Sequence, residues 1–348
     1  MAIESITAGI PTADRTARLS RAVKTPSLRG LAFISGLAFL AYLFYRFGSA
    51  RIWIDLRLIG WRLGLIVLLE FVVSAANALG WRRMFPPLTR TGSFKALFLA
   101  RLAANAINQT LPTAALGGES VKLLLLKDRF PVSVTTASIL SAKVADALSR
   151  ALFVVLVMLG ASHSLKFESL PVQSLTIGFT LTVVGILTFM TIQIRGFSGP
   201  ARKALSRLPF LSGWLERMGH GLGRVDEHLR ELYRTRPLDF GAAVALGMAG
   251  LLVGVLQVWL LLSWIGLHPG WLSSAAIEAF AVLVSMVLFA VPASLGVQEG
   301  GKLLIFAALG LPISAGLSIA VAFRLSSLMI AGAGFAILMW LRPHKLLH

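Results

Sequence analysis

Asn108-Gln109-Thr110-Leu111-Pro112-Thr113-Ala114-Ala115-Leu116-Gly117-Gly118-Glu119-Ser120-Val121-Lys122 decides how this chain is read, because its pattern returns 180 residues later as Val291-Pro292-Ala293-Ser294-Leu295-Gly296-Val297-Gln298-Glu299-Gly300-Gly301-Lys302. Both copies place a helix-breaking proline, a glycine-containing turn and a Glu-x-x-Lys pair ahead of an apolar run, Leu123 to Leu126 and Leu303 to Phe306. Each ionised group at bilayer depth costs roughly 2.5–3.5 kcal/mol on insertion scales. Two copies at the same spacing therefore mark a site.

The surroundings are those of a membrane. The chain is 56% hydrophobic and 14% charged, with a mean hydropathy of +0.80, too little polar sequence to cover a soluble globule. Full spans are expected at about 29–48, 62–80, 131–160, 172–194, 238–265 and 312–341. The first of these follows a basic segment, residues 1–28, with no cleavable signal, and reads as a signal anchor. Two apolar regions, 94–129 and 272–310, hold the repeats, and in each a first arm of about 18 residues reaches the proline turn and is followed by a second of about ten, Glu119 to Arg129 or Gly301 to Gly310, which reaches only about halfway across. The expected fold is all-α and polytopic, about six full spans plus two re-entrant helical hairpins.

With the N-terminus cytoplasmic, the count of crossings opens the first hairpin inside and the second outside, an inverted repeat of the kind transporters use. The halves are then 29–194 and 238–341, joined by a basic loop at 195–237, with a cytoplasmic tail at 342–348. One segment disobeys the positive-inside rule: the expected outward loop from Arg46 to Arg62 carries Arg51 and Arg57. The net charge is +18, and nine of the 33 basic residues crowd the 195–237 loop, where residues 201–236 are expected to include an amphipathic interfacial helix against anionic inner-leaflet lipid rather than nucleic acid.

The chemistry-bearing residues fall into helical stripes. Arg101, Asn105, Asn108 and Gln109 lie at i, i+4, i+7 and i+8 and run into Pro112, while Lys143, Asp146 and Arg150 lie at i, i+3 and i+7. Gly117 and Gly118 open one short arm and Gly300 and Gly301 the other, which offers free backbone N–H groups to an anion unless Glu119 and Glu299 cap those starts. Internal pairs such as Glu119 with Lys143, or Lys122 with Asp146, compete with substrate for the same groups. Arg101, Lys122, Lys143, Arg150, Lys302 and Arg324 outnumber Glu119, Asp146 and Glu299 by three, which favours a phosphate-bearing or polyhydroxylated head group. Glu70, Ser74 and Asn77 mark a polar face on the second span, Glu278 reads as interfacial, and Gln257 as packing. No cysteine is present, the six histidines lack metal-ligand spacing, and no nucleophile elbow, Walker A loop or close carboxylate pair occurs. No cofactor and no catalytic residue are expected.

The string from Asn108 to Pro112 with Gly117, Gly118, Glu119 and Lys122 resembles the first signature of the flippase-like transmembrane region of lysylphosphatidylglycerol synthases. Pro292 through Gly300, with Gly296 and Gln298 ahead of Glu299, resembles the second, particularly in the hopanoid-associated HpnL-like branch. The resemblance spans about residues 30–341. Elsewhere in that superfamily a Pro-Gly-Gly turn and a basic residue stand where this chain has Ala293-Ser294 and Gln298, and the soluble aminoacyltransferase domain of the bifunctional synthases is not part of this sequence. The resemblance implies a bacterial inner-membrane lipid transporter or flippase, with both termini cytoplasmic, acting on hopanoids or another polar lipid by alternating access. Lipid-synthesis or envelope-transport proteins are its expected partners. The alternative is a membrane enzyme subunit or a scaffold for hopanoid or aminoacyl-phospholipid synthesis. On the transport reading, substitution of Glu119 or Glu299 abolishes transport and leaves folding largely intact.

Overall fold

The computed structural model describes residues 49–90, 93–110, 116–162, 184, 191, 212–287 and 297–341. Every element among them is helical: α1 Ser49–Ile59, α2 Leu63–Arg83, α3 Phe94–Thr110, α4 Leu116–Leu126, α5 Val132–Ser162, α6 Ser212–Thr235, α7 Pro237–Trp264, α8 Trp271–Val287, α9 Val297–Ala308 and α10 Ile313–Leu341. Four segments are long and apolar enough to cross a membrane, Ile52–Arg83, Val132–Ala161, Pro237–Trp264 and Ile313–Trp340. The chain is an all-α, multi-pass membrane protein. The spans expected at 29–48 and 172–194 lie outside the described residues, apart from helical Val184 and Thr191.

These helices are apolar nearly all round, so the side not covered by protein suits lipid. Leu65, Leu68 and Val72 on α2, Leu152, Leu156 and Leu159 on α5, and Leu325, Leu328 and Met329 on α10 are such exposed side chains.

The expected loop from Arg46 to Arg62 is corrected over its described part. Residues 49–59 are helical and continue through a short 3-10 turn into α2, with Gly60 at φ +47°. Ile52, Asp55 and Ile59, three and four residues apart, bury one face. Ser318 of α10 donates to Asp55 Oδ2 at 2.7 Å, and Ile52 packs on Leu303 and Leu317. On the other face the Arg57 guanidinium lies 5.2 Å from the Trp53 ring centre, a cation–π contact suited to a membrane interface.

The two regions that carry the repeats form helix pairs of matching size: α3 and α4 span 17 and 11 residues, α8 and α9 span 17 and 12. The first short arm occupies 116–126, three residues earlier than the sequence places it, because Lys127 to Arg129 turn away. Trp81, Phe85, Leu97, Leu126, Phe130, Val134 and Phe240 pack together at one end of the bundle. Ile59, Ile66, Leu262, Ile265, Ile277, Phe306 and Ala315 pack together at the other. Ile66 and Trp81 share α2, roughly 22 Å apart at 1.5 Å per residue. Leu97 and Leu126 thus root the first pair at one end, and Ile277 and Phe306 root the second at the opposite end. The expected amphipathic helix is present as α6, which buries Val225, Leu229 and Leu232; residues 201–211 lie outside the described set.

Two close approaches hold the core. Gly334 of α10 lies against the Leu102 carbonyl of α3, where a Cβ would also come 2.7 Å from the Ala106 methyl. Ser149 of α5 donates to Val244 O of α7 at 2.9 Å across the bare backbone of Gly247.

Candidate functional site

The start of α4 is fixed by α3. Asn108 Oδ1 accepts the Gly118 N–H at 2.9 Å, and a Cβ on Gly118 would stand 2.5 Å from the Ala104 carbonyl oxygen. Glycine is required at 118 by that approach. The N–H expected to face an anion is instead satisfied from within the hairpin, and Glu119 turns away from the helix start.

Glu119 stands between two lysines. Lys122 donates to Oε2 at 2.9 Å and Lys143 Nζ lies 2.8 Å from Oε1. Lys122 also lies 5.1 Å from the centre of the Trp81 ring, and Trp81 donates to Ser138 Oγ at 3.1 Å. Of the two internal pairs expected, Glu119 with Lys143 forms. Lys122 with Asp146 does not: Lys122 reaches the nearer carboxylate three residues back on its own helix, and Asp146 accepts from Arg150 Nε at 3.0 Å one turn along α5.

Arg101 lies within electrostatic reach of Asp146, Arg150 and Glu119. No hydrogen bond or ion pair is formed by its guanidinium among the described residues. Asn105 and Gln109 are half-buried on the same helix.

Arg150 leads from this group into a cavity of about 240 Å³ bounded by Glu70, Gln257, Glu278, Ser285, Arg324 and neighbouring apolar side chains. The lining comes from α2, α5, α7, α8 and α10, so the cavity lies where all four long segments meet. Gln257 Nε2 donates to Ile66 O at 3.1 Å and to Glu70 Oε1 at 3.4 Å. Glu278 fits against Gly254, whose added Cβ would come 2.7 Å from Oε1, and its charge acts on Arg150. By helix rise, Glu278 and Gln257 lie roughly 10 Å in from the Trp271 and Trp264 ends, and Arg324 roughly 16 Å in from Ile313.

Arg101, Asn105, Asn108, Gln109, Gly117, Gly118, Glu119, Lys122, Lys143, Asp146 and Arg150 thus gather around α3, α4 and α5, while Arg324 joins the cavity. Pro112, Pro292 and Gly296 lie outside the described residues, as do the side chains of Gln298, Glu299 and Lys302, whose backbone is helical in α9. The cavity adds Glu70, Gln257, Glu278 and Ser285, which sequence reasoning left outside the site. A polar residue in mid-span was the available signal for Glu70 and Gln257. Glu278, seven residues past Trp271, reads as interfacial until α8 is seen to enter the bundle.

With Glu70 and Glu278 included, the described charges are nearly balanced: Arg101, Lys122, Lys143, Arg150 and Arg324 face Glu70, Glu119, Asp146 and Glu278. The cationic excess inferred from sequence shrinks accordingly. Such a site offers donors and acceptors together, in a space that lipid tails cannot satisfy.

No curated protein and no solved structure matches the chain. The family described as the lysylphosphatidylglycerol synthase TM region matches residues 28–334. Spanning most of the sequence and both repeats, that match shows that the chain belongs to the lysylphosphatidylglycerol synthase TM region family, whose members are membrane proteins of lipid handling or synthesis.

Proposed function

We propose that the chain is a lipid transporter or flippase of the bacterial inner membrane, acting on hopanoids or another polar lipid through the central cavity. The observation that carries this reading is the charged cavity at the meeting of the four long segments, served by helix pairs rooted at opposite ends of the bundle. Charges so placed are costly and call for a use.

The balance of charge favours a polyhydroxylated head group over a bare phosphate. Hydroxyls donate to Glu70 and Glu278 and accept from Arg150 and Arg324, so one ligand engages both signs. The lipid tail stays in the bilayer while the head occupies the cavity. The two halves act as an inverted repeat, and rocking of one against the other opens the site to each leaflet in turn. Ala293-Ser294 and Gln298, in place of the commoner turn and basic residue, support the hopanoid-associated branch.

The test is lipid mass spectrometry of separated inner and outer membranes from a deletion strain complemented with the wild type or with Glu278→Gln. Retention of one lipid class in the inner membrane at unchanged total amount, reversed by the wild type but not by the variant, is expected. Loss of a lipid species with accumulation of its precursor would overturn transport in favour of synthesis.

A further inference from the structure

We propose that a second pocket, at the other side of α2, holds one anionic lipid by its phosphate independently of whatever the central cavity carries. A cavity of about 370 Å³ is lined by Leu79, Arg82, Arg83, Arg90 and Leu246. It opens where the Ile52–Arg83 span ends and the Pro237–Trp264 span begins, the depth of a phospholipid head group.

The arginines there divide into those already engaged and those left available. Arg90 is spent on the protein: it donates to both carboxylate oxygens of Asp239 at 2.6 and 3.1 Å, to Phe85 O at 2.8 Å and to Arg83 O at 2.7 Å. Arg236 Nη1 donates to the same Phe85 carbonyl at 2.8 Å. These contacts fix the 84–90 turn and consume the carboxylate of Asp239. Arg82 uses only Nε, donating to Arg90 O at 3.0 Å, so both its terminal nitrogens remain for a ligand. Arg83 touches Asp239 at 3.5 Å, with its side chain 53% exposed. Arg83 and Arg90 thus share the Asp239 carboxylate, and Arg82 has no carboxylate partner among the described residues.

Two adjacent arginines with unused planar N–H pairs match the oxygens of a phosphate. The apolar part of the lining distinguishes a lipid from a soluble anion. Leu79 lies one turn deeper than Arg82 and Arg83 on α2, and Leu246 lies seven residues beyond Asp239 on α7, roughly 10 Å into the span. Phosphate at the arginines and an acyl chain along the two leucines fill both halves of the pocket. Anionic lipid at a basic membrane face supplies such a ligand in excess.

The experiment uses the full chain in detergent, titrated with phosphatidylglycerol, with diacylglycerol and with inorganic phosphate, and read by native mass spectrometry and thermal unfolding. The wild type is expected to retain one phosphatidylglycerol, with diacylglycerol and millimolar phosphate failing to replace it. Arg82→Gln/Arg83→Gln should bind it about tenfold or more weakly, the loss of one or two charge-assisted hydrogen bonds. Arg83→Gln alone, which leaves the Arg90 turn intact, should weaken it in the same direction with unchanged unfolding temperature in lipid-free detergent. Equal retention by the wild type and both variants would overturn the site. Displacement by inorganic phosphate at the lipid's own concentration would overturn the lipid assignment in favour of a soluble phosphate.

Discussion

Glu278 occupies the space that a side chain at Gly254 would need: a Cβ there would come 2.7 Å from Oε1 and 3.0 Å from Cδ. α7 is thereby notched to seat a carboxylate that α8 carries in. The clash in Gly254→Ala falls on the end of a flexible side chain, so the protein should fold with stability changed by about 1 kcal/mol or less. The displaced carboxylate should nonetheless leave the cavity. Gly254→Ala is therefore expected to reproduce the transport defect of Glu278→Gln with a near-native unfolding temperature in detergent. Wild-type lipid distribution in Gly254→Ala would show that the position of Glu278 does not matter.

Gly334 presents the opposite case. Its neighbours are the backbone carbonyl of Leu102 and the Ala106 methyl, neither of which can rotate away. Gly334→Ala should separate α10 from α3 and destabilise the fold by about 1–3 kcal/mol, the usual cost of overpacking. Thermal unfolding of Gly334→Ala beside Gly332→Ala provides the check, because nothing lies within 4 Å of a Cβ at 332; the first should melt lower and the second close to wild type.

Asn108 and Gly118 set the hairpin angle together. Asn108→Ala removes the acceptor for the Gly118 N–H and should cost about 1 kcal/mol, as the loss of a helix cap does. Gly118→Ala should cost more, since its Cβ meets the Ala104 carbonyl at 2.5 Å. Equal unfolding temperatures for the two variants would show that the α3 and α4 contact is looser than this geometry.

Much of this arrangement was legible in the sequence because hydropathy and helix breakers act locally. The 131–160, 238–265 and 312–341 spans were placed within a residue or two of α5, α7 and α10. What escaped was tertiary. Asp55 and Arg57 read as loop because a charged run in isolation favours water; burial of Asp55 against Ser318 and stacking of Arg57 on Trp53 make the helix. Lys122 could reach Glu119 or Asp146 by spacing alone, and only the docking of α4 on α5 decides between them. Glu70, Gln257 and Glu278 sit on three different helices, so no periodicity joins them into one cavity.

The Glu119 pairings alter what its substitution can teach. Glu119 is 15% exposed with a lysine on each oxygen, so Glu119→Gln leaves two ammonium groups facing each other. Leaving the partly buried Lys122 without its carboxylate should cost about 1–3 kcal/mol, whereas Lys143, half exposed at 50%, should cost only about 1 kcal/mol or less when changed to Met. The sequence-based expectation of lost transport with intact folding is thus replaced by lost stability in the single variant. Glu119→Gln/Lys122→Met should restore much of it, because the remaining Lys143 reaches the surface by its own length. If the double variant folds and transports, Glu119 holds the hairpin to α5. If it folds and does not transport, the carboxylate itself serves the lipid path. Unfolding temperatures and membrane lipid distributions of Glu119→Gln, Lys122→Met and the double variant, measured together, separate these outcomes.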